Sequence, residues 1–257
     1  MIDRNTIYIQ VTTFLRLVYF YKASGLITFL KCLGRSGLAT INFSGSQNVL
    51  YLRRGTSDVA VFNSIYAFNE FSGKFYIAKG DTIVDCGANI GISTLYFAEK
   101  YPDNKVIAIE PDRENFLLLQ KNTKHCSNVS CIEGAIHNTS GNLFLQNPNS
   151  ESWGFVFSEK EPQIDGKNDR SIMVTAFSID EIIEKHDIDS IGLLKIDIEG
   201  GEKDLFSKNL QWLSIVKVMV VELHDEIVPH CSSTFYHALK EIDFKQAIKG
   251  EKVILTL

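Results

Sequence analysis

From Gly80 onward, short β-branched apolar runs alternate with segments whose apolar residues recur at helical spacing. That is the pattern of parallel strands joined by helical crossovers. Strands are expected at 82–85, 106–109, 129–132, 191–198 and 216–223, and helices at 92–100, 113–124, 201–210 and 234–242. Because the strands are apolar on both faces, they belong in the middle of a covered sheet. The last two runs, 244–247 and 253–257, flank Lys249, Gly250 and Glu251 and read as a hairpin closing the sheet edge. The fold class is therefore α/β.

Two regions break the alternation. Residues 138–170 are rich in Asn, Ser, Gly, Glu, Asp and Lys, with Trp153, Phe155 and Phe157 among them. They read as an inserted loop or hairpin before a strand at 172–175, and excursions of that length in compact domains are often functional lids. The aromatic residues suit either a sugar-stacking lid or the buried face of a hairpin. Residues 7–33 are apolar and aromatic, yet Arg16, Lys22 and Lys31 interrupt them. No stretch of ~18 uncharged apolar residues remains, and no cleavage site follows a short apolar core. An amphipathic helix pair is expected, packed on the main α/β domain or on a second subunit. A membrane-surface role is the alternative, resting on the three basic residues and on Tyr8, Phe14, Tyr19, Phe20 and Tyr21. The chain thus divides into a helical extension, 1–60, and a main α/β domain, 61–257.

A length of 257 residues allows one substantial core with an appendage. A composition of 45% hydrophobic and 22% charged residues is that of a soluble globular protein. The net charge of −5 gives no basic footprint for a phosphate backbone, so nucleic acid is not an expected partner. The five cysteines are odd in number and form no C-x-x-C pair, which fits reduced thiols in the cytoplasm.

The first chemical signal is the run Ile83 to Thr94, a buried strand entering a turn with Gly87 and Gly91 and then a helix. Glycine is needed where backbone N–H groups approach a ligand and no Cβ fits, and the helix N-terminus adds unpaired donors. Asn89 stands where a dinucleotide fingerprint has its second glycine, and no Walker lysine follows Gly91, so pyrophosphate and triphosphate ligands are disfavoured. The next strand ends in Glu110, 19 residues after Gly91, placed to accept the hydroxyls of a ribose. A nucleoside without a diphosphate fits both observations, and S-adenosylmethionine is the common cofactor of that kind. Asp112 is placed to cap the helix that follows.

The second signal lies at two later strand ends. Lys195, Asp197 and Glu199 recur at spacing two, as do Glu222 and His224. While the chain stays extended, alternation puts each set on one face. If the strands are neighbours, their carboxyl ends bring Asp197, Glu199, Glu222 and His224 to one crevice, where α/β folds bind ligands. Such a cluster needs a cation or a shared proton, and Lys195 is the candidate to supply it. A structural network holding the two strands together is the competing reading. His125, His137 and His186 read as solvated, while His230 and His237 follow the last buried strand and have a route toward the crevice.

Taken together these blocks resemble the FkbM-type family of S-adenosylmethionine-dependent methyltransferases. The resemblance runs from about Phe62 to Ile248 and rests on the segments from Asp85 to Gly91, Ala108 to Asp112 with Asn115, Phe116 and Asn122, and Gly134 to Ile136. Its most specific part is Leu194 to Glu202, with the pattern Lys-x-Asp-x-Glu-Gly. It implies a Rossmann-like class I methyltransferase fold, with a seven-stranded, mostly parallel sheet whose last strand is antiparallel. It also implies a cofactor lying over Asp85, Gly87, Ala88, Asn89 and Gly91. Glu110 would hold its ribose, Glu133 to Ala135 would border its adenine, and Pro111 and Asp197 would be further cofactor contacts. The implied acceptor is small, often a sugar or other metabolite methylated at a hydroxyl. Asp197 or His224 is the expected base, with Glu199 and Glu222 orienting the acceptor or a divalent ion such as magnesium. A nicotinamide oxidoreductase and a non-catalytic cofactor-binding scaffold remain as alternatives, and a homo-oligomer is compatible with the sequence.

Overall fold

A computed structural model of the chain describes residues 4–34, 36–42, 49–71, 76–146, 156–158 and 171–257. Helix α1 (Arg4–Cys32) is broken at Lys22, whose φ of 51° and ψ of −127° turn the chain back. This is the expected helix pair. Its arms touch closely at Gly25, where a Cβ would stand 2.0 Å from the Leu17 carbonyl oxygen. Phe14 and Phe29 meet edge to face across the pair, 5.2 Å apart. A hairpin of β1 (Leu38–Asn42) and β2 (Val49–Arg53) follows. Next comes α2 (Asp58–Phe62), which runs into one π-type turn, Asn63–Ala67. Leu17, Ile41, Leu50, Leu52 and Phe62 share one hydrophobic core with Ile83, Leu95 and Phe97 of the sheet and its first crossover. The helix pair therefore packs on the α/β body.

The body begins with β3 (Thr82–Cys86), α3 (Ile92–Lys100), β4 (Val106–Glu110), α4 (Arg113–Thr123) and β5 (Val129–Glu133). After an excursion come α5 (Ile179–Lys185), β10 (Ile191–Ile196), α6 (Glu202–Leu205), β11 (Val218–Glu222), α7 (Cys231–Ala238), β12 (Lys245–Lys249) and β13 (Lys252–Thr256). The sheet order is β12-β13-β11-β10-β3-β4-β5. β5, β4, β3, β10 and β11 pair in parallel, whereas β13 is antiparallel to both β11 and β12. This is the seven-stranded Rossmann-like sheet with an antiparallel last strand. Every residue of β3, β4 and β10 is buried, which explains their unbroken apolar character. Asp112 caps α4 by accepting from the Asn115 N–H at 2.8 Å, and Ser178 caps α5 by accepting from that of Glu181.

The excursion forms a second sheet. β6 (Ala135–Ile136), β7 (Gly141–Gln146), β8 (Val156–Ser158) and β9 (Ser171–Phe177) assemble in the order β6-β9-β7-β8. Trp153 and Phe155 lie outside the described residues, and Phe157 is described only as part of the backbone of β8. All five cysteines are free. No helix among the described residues is long and apolar enough to cross a membrane.

Two boundaries differ from the sequence reading in a way that matters to the site. β10 stops at Ile196 rather than 198, and the helix expected at 201–210 shrinks to Glu202–Leu205. One side chain does much of this: Glu202 accepts from the Ile198 N–H at 2.9 Å and the Gly200 N–H at 2.8 Å, curling the chain out of the strand. Glu199, inside that curl, takes a left-handed φ of 55°. The alternation expected from Lys195 to Glu199 therefore ends at the strand terminus, and Glu199 joins the site through a turn.

Candidate active site

The turn after β3 is held by its own backbone. Gly87 has φ +74°, and a Cβ there would lie 1.8 Å from the Asp197 carbonyl oxygen. Only glycine lets this turn touch the end of β10. Gly91, at φ +84°, precedes the first residue of α3, and a Cβ on it would press on Leu119 at 2.6 Å. Asn89 between them is also left-handed, at φ 50°, and its buried Oδ1 has no hydrogen-bond partner among the described residues. Ala88 is buried beside it.

Asp85 faces inward. Its Oδ2 accepts from the Ser93 and Thr94 hydroxyls, both at 2.7 Å, and its Oδ1 lies 3.2 Å from Lys195 Nζ. Lys195 also donates to the Gly87 carbonyl at 2.6 Å. Sequence reasoning placed Asp85 among the cofactor contacts and Lys195 in the acidic crevice. In the structure the pair braces the turn from beneath, and Lys195 also lies 3.8 Å from Asp197 of the crevice.

Glu110 ends β4 at the rim of the same turn. Its Oε2 accepts from the Asn89 N–H at 2.8 Å, and its Oε1 from the Asp112 N–H at 2.9 Å. Burial raises its pKa to about 7, against the lowering effect of these bonds and of Asn115. A carboxylate kept at this desolvation cost beside a glycine turn suits a diol that would supply two more donors. Pro111 is half-buried after it, and Ala135 is buried in β6. Glu133, opposite Glu110 in the β4/β5 register, is exposed and pairs with Arg113.

The second half of the site stands at the ends of β10 and β11, which are neighbours as the sequence reading required. His224 is 5% exposed and points Nε2 at three carboxylates: Glu199 at 3.5 Å, Glu222 at 3.7 Å and Asp197 at 3.8 Å. Its Nδ1 meets fully buried Glu202 at 3.1 Å. Burial opposes a charge on the ring, but the Glu202 hydrogen bond and the fields of Glu199 and Asp197 outweigh it and raise the pKa to about 9. Lys252, reaching in from β13, bonds Asp197 at 2.8 Å and Glu222. Burial opposes ionisation of Asp197, yet Lys252 and Lys195 hold its carboxyl well below the usual carboxylate range. Glu199 has no lysine partner among the described residues; burial and then the charge of Asp197 push its pKa up to about 8.

Asp197, Glu199 and His224 also each offer one ligand atom within 4.8 Å of the others. A cation held there would displace the proton on His224 Nε2. Lys252 joins Lys195 beside these carboxylates, and their fields favour the charged form of His224. Two side chains were thus missed. Lys252 had one signal, a lysine opening an otherwise apolar last strand, and Glu202 had another, an acid following two glycines at a strand end. His230 and His237 are exposed, and among the described residues no hydrogen bond or ion pair joins them to the crevice, whereas His137 is buried rather than solvated, near Thr139 and Asp204.

A mostly parallel sheet carrying a glycine turn and a charged cleft at the carboxyl ends of its strands defines a Rossmann-like α/β fold. The model of the methyltransferase FkbM domain matches residues 85–246, more than half of the chain, and the chain belongs to that family. Relatives include Methyltransferase 1 of Beauveria bassiana, 27% identical over 161 residues that cover 56% of this chain and 64% of the relative. Another is the hexuronic acid methyltransferase AglP of Haloferax volcanii, 24% identical over 153 residues that cover 59% of each chain. The matches span less than two thirds of these relatives' lengths. Among solved structures, methyltransferase FkbM from Methylobacillus flagellatus superposes with a TM-score of 0.51 at 15% identity, covering 98% of this chain and 59% of that one. At that identity the likeness speaks for the fold.

Proposed function

We propose that this chain is a cytoplasmic S-adenosylmethionine-dependent methyltransferase acting on a hydroxyl of a sugar or a related small metabolite. The observation that carries the reading is the adjacency of two unlike sites. A glycine turn closed by Glu110 abuts, through the Gly87 to Asp197 contact, a crevice of Asp197, Glu199, Glu222 and His224. When bound, S-adenosylmethionine supplies an already activated methyl group. The turn from Gly87 to Gly91 and Glu110 would hold it, with Pro111, Glu133 and Ala135 beside its base. The left-handed Asn89 in place of a glycine fits a nucleoside better than a pyrophosphate. The hexuronic acid methyltransferase among the relatives supports a sugar acceptor.

What remains for the protein is alignment, worth ~7 kcal/mol or more when reacting groups are well oriented, and removal of the acceptor proton. Of the crevice groups, Asp197 is a weak base because Lys252 and Lys195 stabilise its ionised form. His224 holds protons on both ring nitrogens below about pH 9. The base role accordingly passes from Asp197 or His224 to Glu199, whose high proton affinity matches the task. Asp197 and Glu222, clamped by Lys252, orient the acceptor, and His224 holds the three carboxylates together.

The test is calorimetric titration with S-adenosylhomocysteine and, separately, NAD, before and after Glu110→Ala. Micromolar binding of the first alone, weakened on the order of 10- to 100-fold by the substitution, is the expected result. Absence of S-adenosylhomocysteine binding would refute the reading, and binding of NAD alone would favour an oxidoreductase.

A further inference from the structure

Between Asp3 and Asp58 the chain has no acidic residue, and residues 1–57 carry seven lysines and arginines. The rest of the chain carries 19 basic residues against 30 acidic ones. A protein of net charge −5 thus gathers positive charge in its N-terminal segment, where Arg53 is paired with buried Asp58 while Arg16, Lys22 and Lys31 stand along α1. The same segment leaves its apolar side chains uncovered. Tyr8, Val11, Leu15 and Tyr19 are 71, 51, 59 and 79% exposed. Their spacing puts them on one stripe of the first arm, opposite buried Thr13 and Leu17. On the second arm Leu26, Ile27 and Leu30 are exposed while Phe29 and Cys32 pack against the core. Each arm is therefore apolar on two sides, one in the core and one in water.

We propose that this helix pair seats the protein on the surface of an anionic lipid bilayer. The stripe would enter the headgroup boundary, where the tyrosine rings can keep their hydroxyls in water, and Lys22 and Lys31 would face lipid phosphates. Charge decides the occupant: a second copy of this chain presents the same excess of positive charge and repels, whereas an anionic surface attracts it. The attachment lies on the membrane rather than across it, since no described helix is long and apolar enough to span one.

The experiment is co-sedimentation of the full chain with phosphatidylcholine vesicles and with vesicles containing about one third phosphatidylglycerol, enough to give a strongly negative surface. Binding is expected to the anionic vesicles alone, weakening at least about tenfold in high salt. Two double variants, Leu15→Glu with Tyr19→Glu and Lys22→Glu with Lys31→Glu, change exposed or half-buried side chains and should each weaken it by about tenfold with an unchanged melting curve. No binding to anionic vesicles overturns the proposal, and equal binding to neutral vesicles overturns its electrostatic basis. A dimer in light scattering that Leu15→Glu with Tyr19→Glu disperses would also overturn it, by giving the stripe to a second copy.

Discussion

At the ends of β3 and β4 the binding surface is made from main chain. Glycines at φ +74° and +84°, an asparagine at φ 50° and a carboxylate bonded to two backbone N–H groups set its shape. At the ends of β10 and β11 the surface is made from charge, with four carboxylates gathered around one imidazole and two of them, Asp197 and Glu222, clamped by a lysine from the last strand. The first half is sensitive to volume, because a single methyl group has nowhere to go. The second is sensitive to proton count, because each member's ionisation depends on its neighbours. This separation predicts which kind of perturbation each half fails to survive.

The largest effect is expected from Gly87→Ala. Its Cβ would meet a carbonyl oxygen of β10, backbone that cannot swing aside, and alanine is strained at this φ. A loss of about 3 kcal/mol or more in stability, with S-adenosylhomocysteine binding weakened beyond about 100-fold, should follow. Gly250→Ala is the matched control: φ there is +60°, but nothing lies within 4 Å of the added Cβ, so only about 1 kcal/mol is at stake. Similar behaviour of the two variants in thermal melting would remove the claim that close packing, rather than dihedral strain, dictates the turn.

Glu199→Gln tests the charged half. Turnover is expected to fall on the order of 10²- to 10⁴-fold, while S-adenosylhomocysteine affinity stays within about threefold, since the change touches no group of the glycine turn. Activity of the parent protein should survive a chelator, because Lys252 and His224 already supply the crevice's positive charge. An active Glu199→Gln variant would return the base role to Asp197, and loss of parent activity in chelator would place a metal among Asp197, Glu199 and His224.

The two halves were not equally legible in the sequence. The glycine turn, Glu110 and the Asp112 cap could be read because each stands at a recognisable place in a strand-turn-helix pattern, although the contacts that require the glycines, with Asp197 and Leu119, are distant in sequence. Asp197, Glu199, Glu222 and His224 could be listed from spacing at two strand ends, but their electrostatics could not. Lys252 reaches Asp197 across 55 positions of chain, and its inward aim follows from the β11/β13 register that pairs it with Glu222. Glu202 stood in the motif, yet its role depends on bending the backbone away from the extended form that alternation assumed. Local signals therefore located the carboxylates, and long-range pairing decided which of them keep a proton.

A pH profile sharpens the contrast at smaller amplitude. As Glu199 ionises, kcat/KM should rise toward about pH 8, and it should fall above about pH 9 as His224 loses the proton that holds the carboxylates together. Binding of S-adenosylhomocysteine should instead respond near pH 7, where Glu110 titrates. One shared inflection for binding and turnover would mean that the halves are not electrostatically separate.

The smallest effect is expected from Asp112→Ala. Asp112 sits two residues from Glu110 and is an acid at a strand end, so spacing alone gives it as good a claim to the ribose. Its side chain, however, is spent on the Asn115 N–H at the start of α4. Removing a cap of this kind costs about 1 kcal/mol of stability, and affinity for S-adenosylhomocysteine should change by no more than about twofold, less than RT in free energy. Stability lost with affinity kept would define Glu110 as the sole ribose carboxylate. Affinity lost with stability kept would make the cap an incidental contact and extend the main-chain half of the site by one acidic side chain.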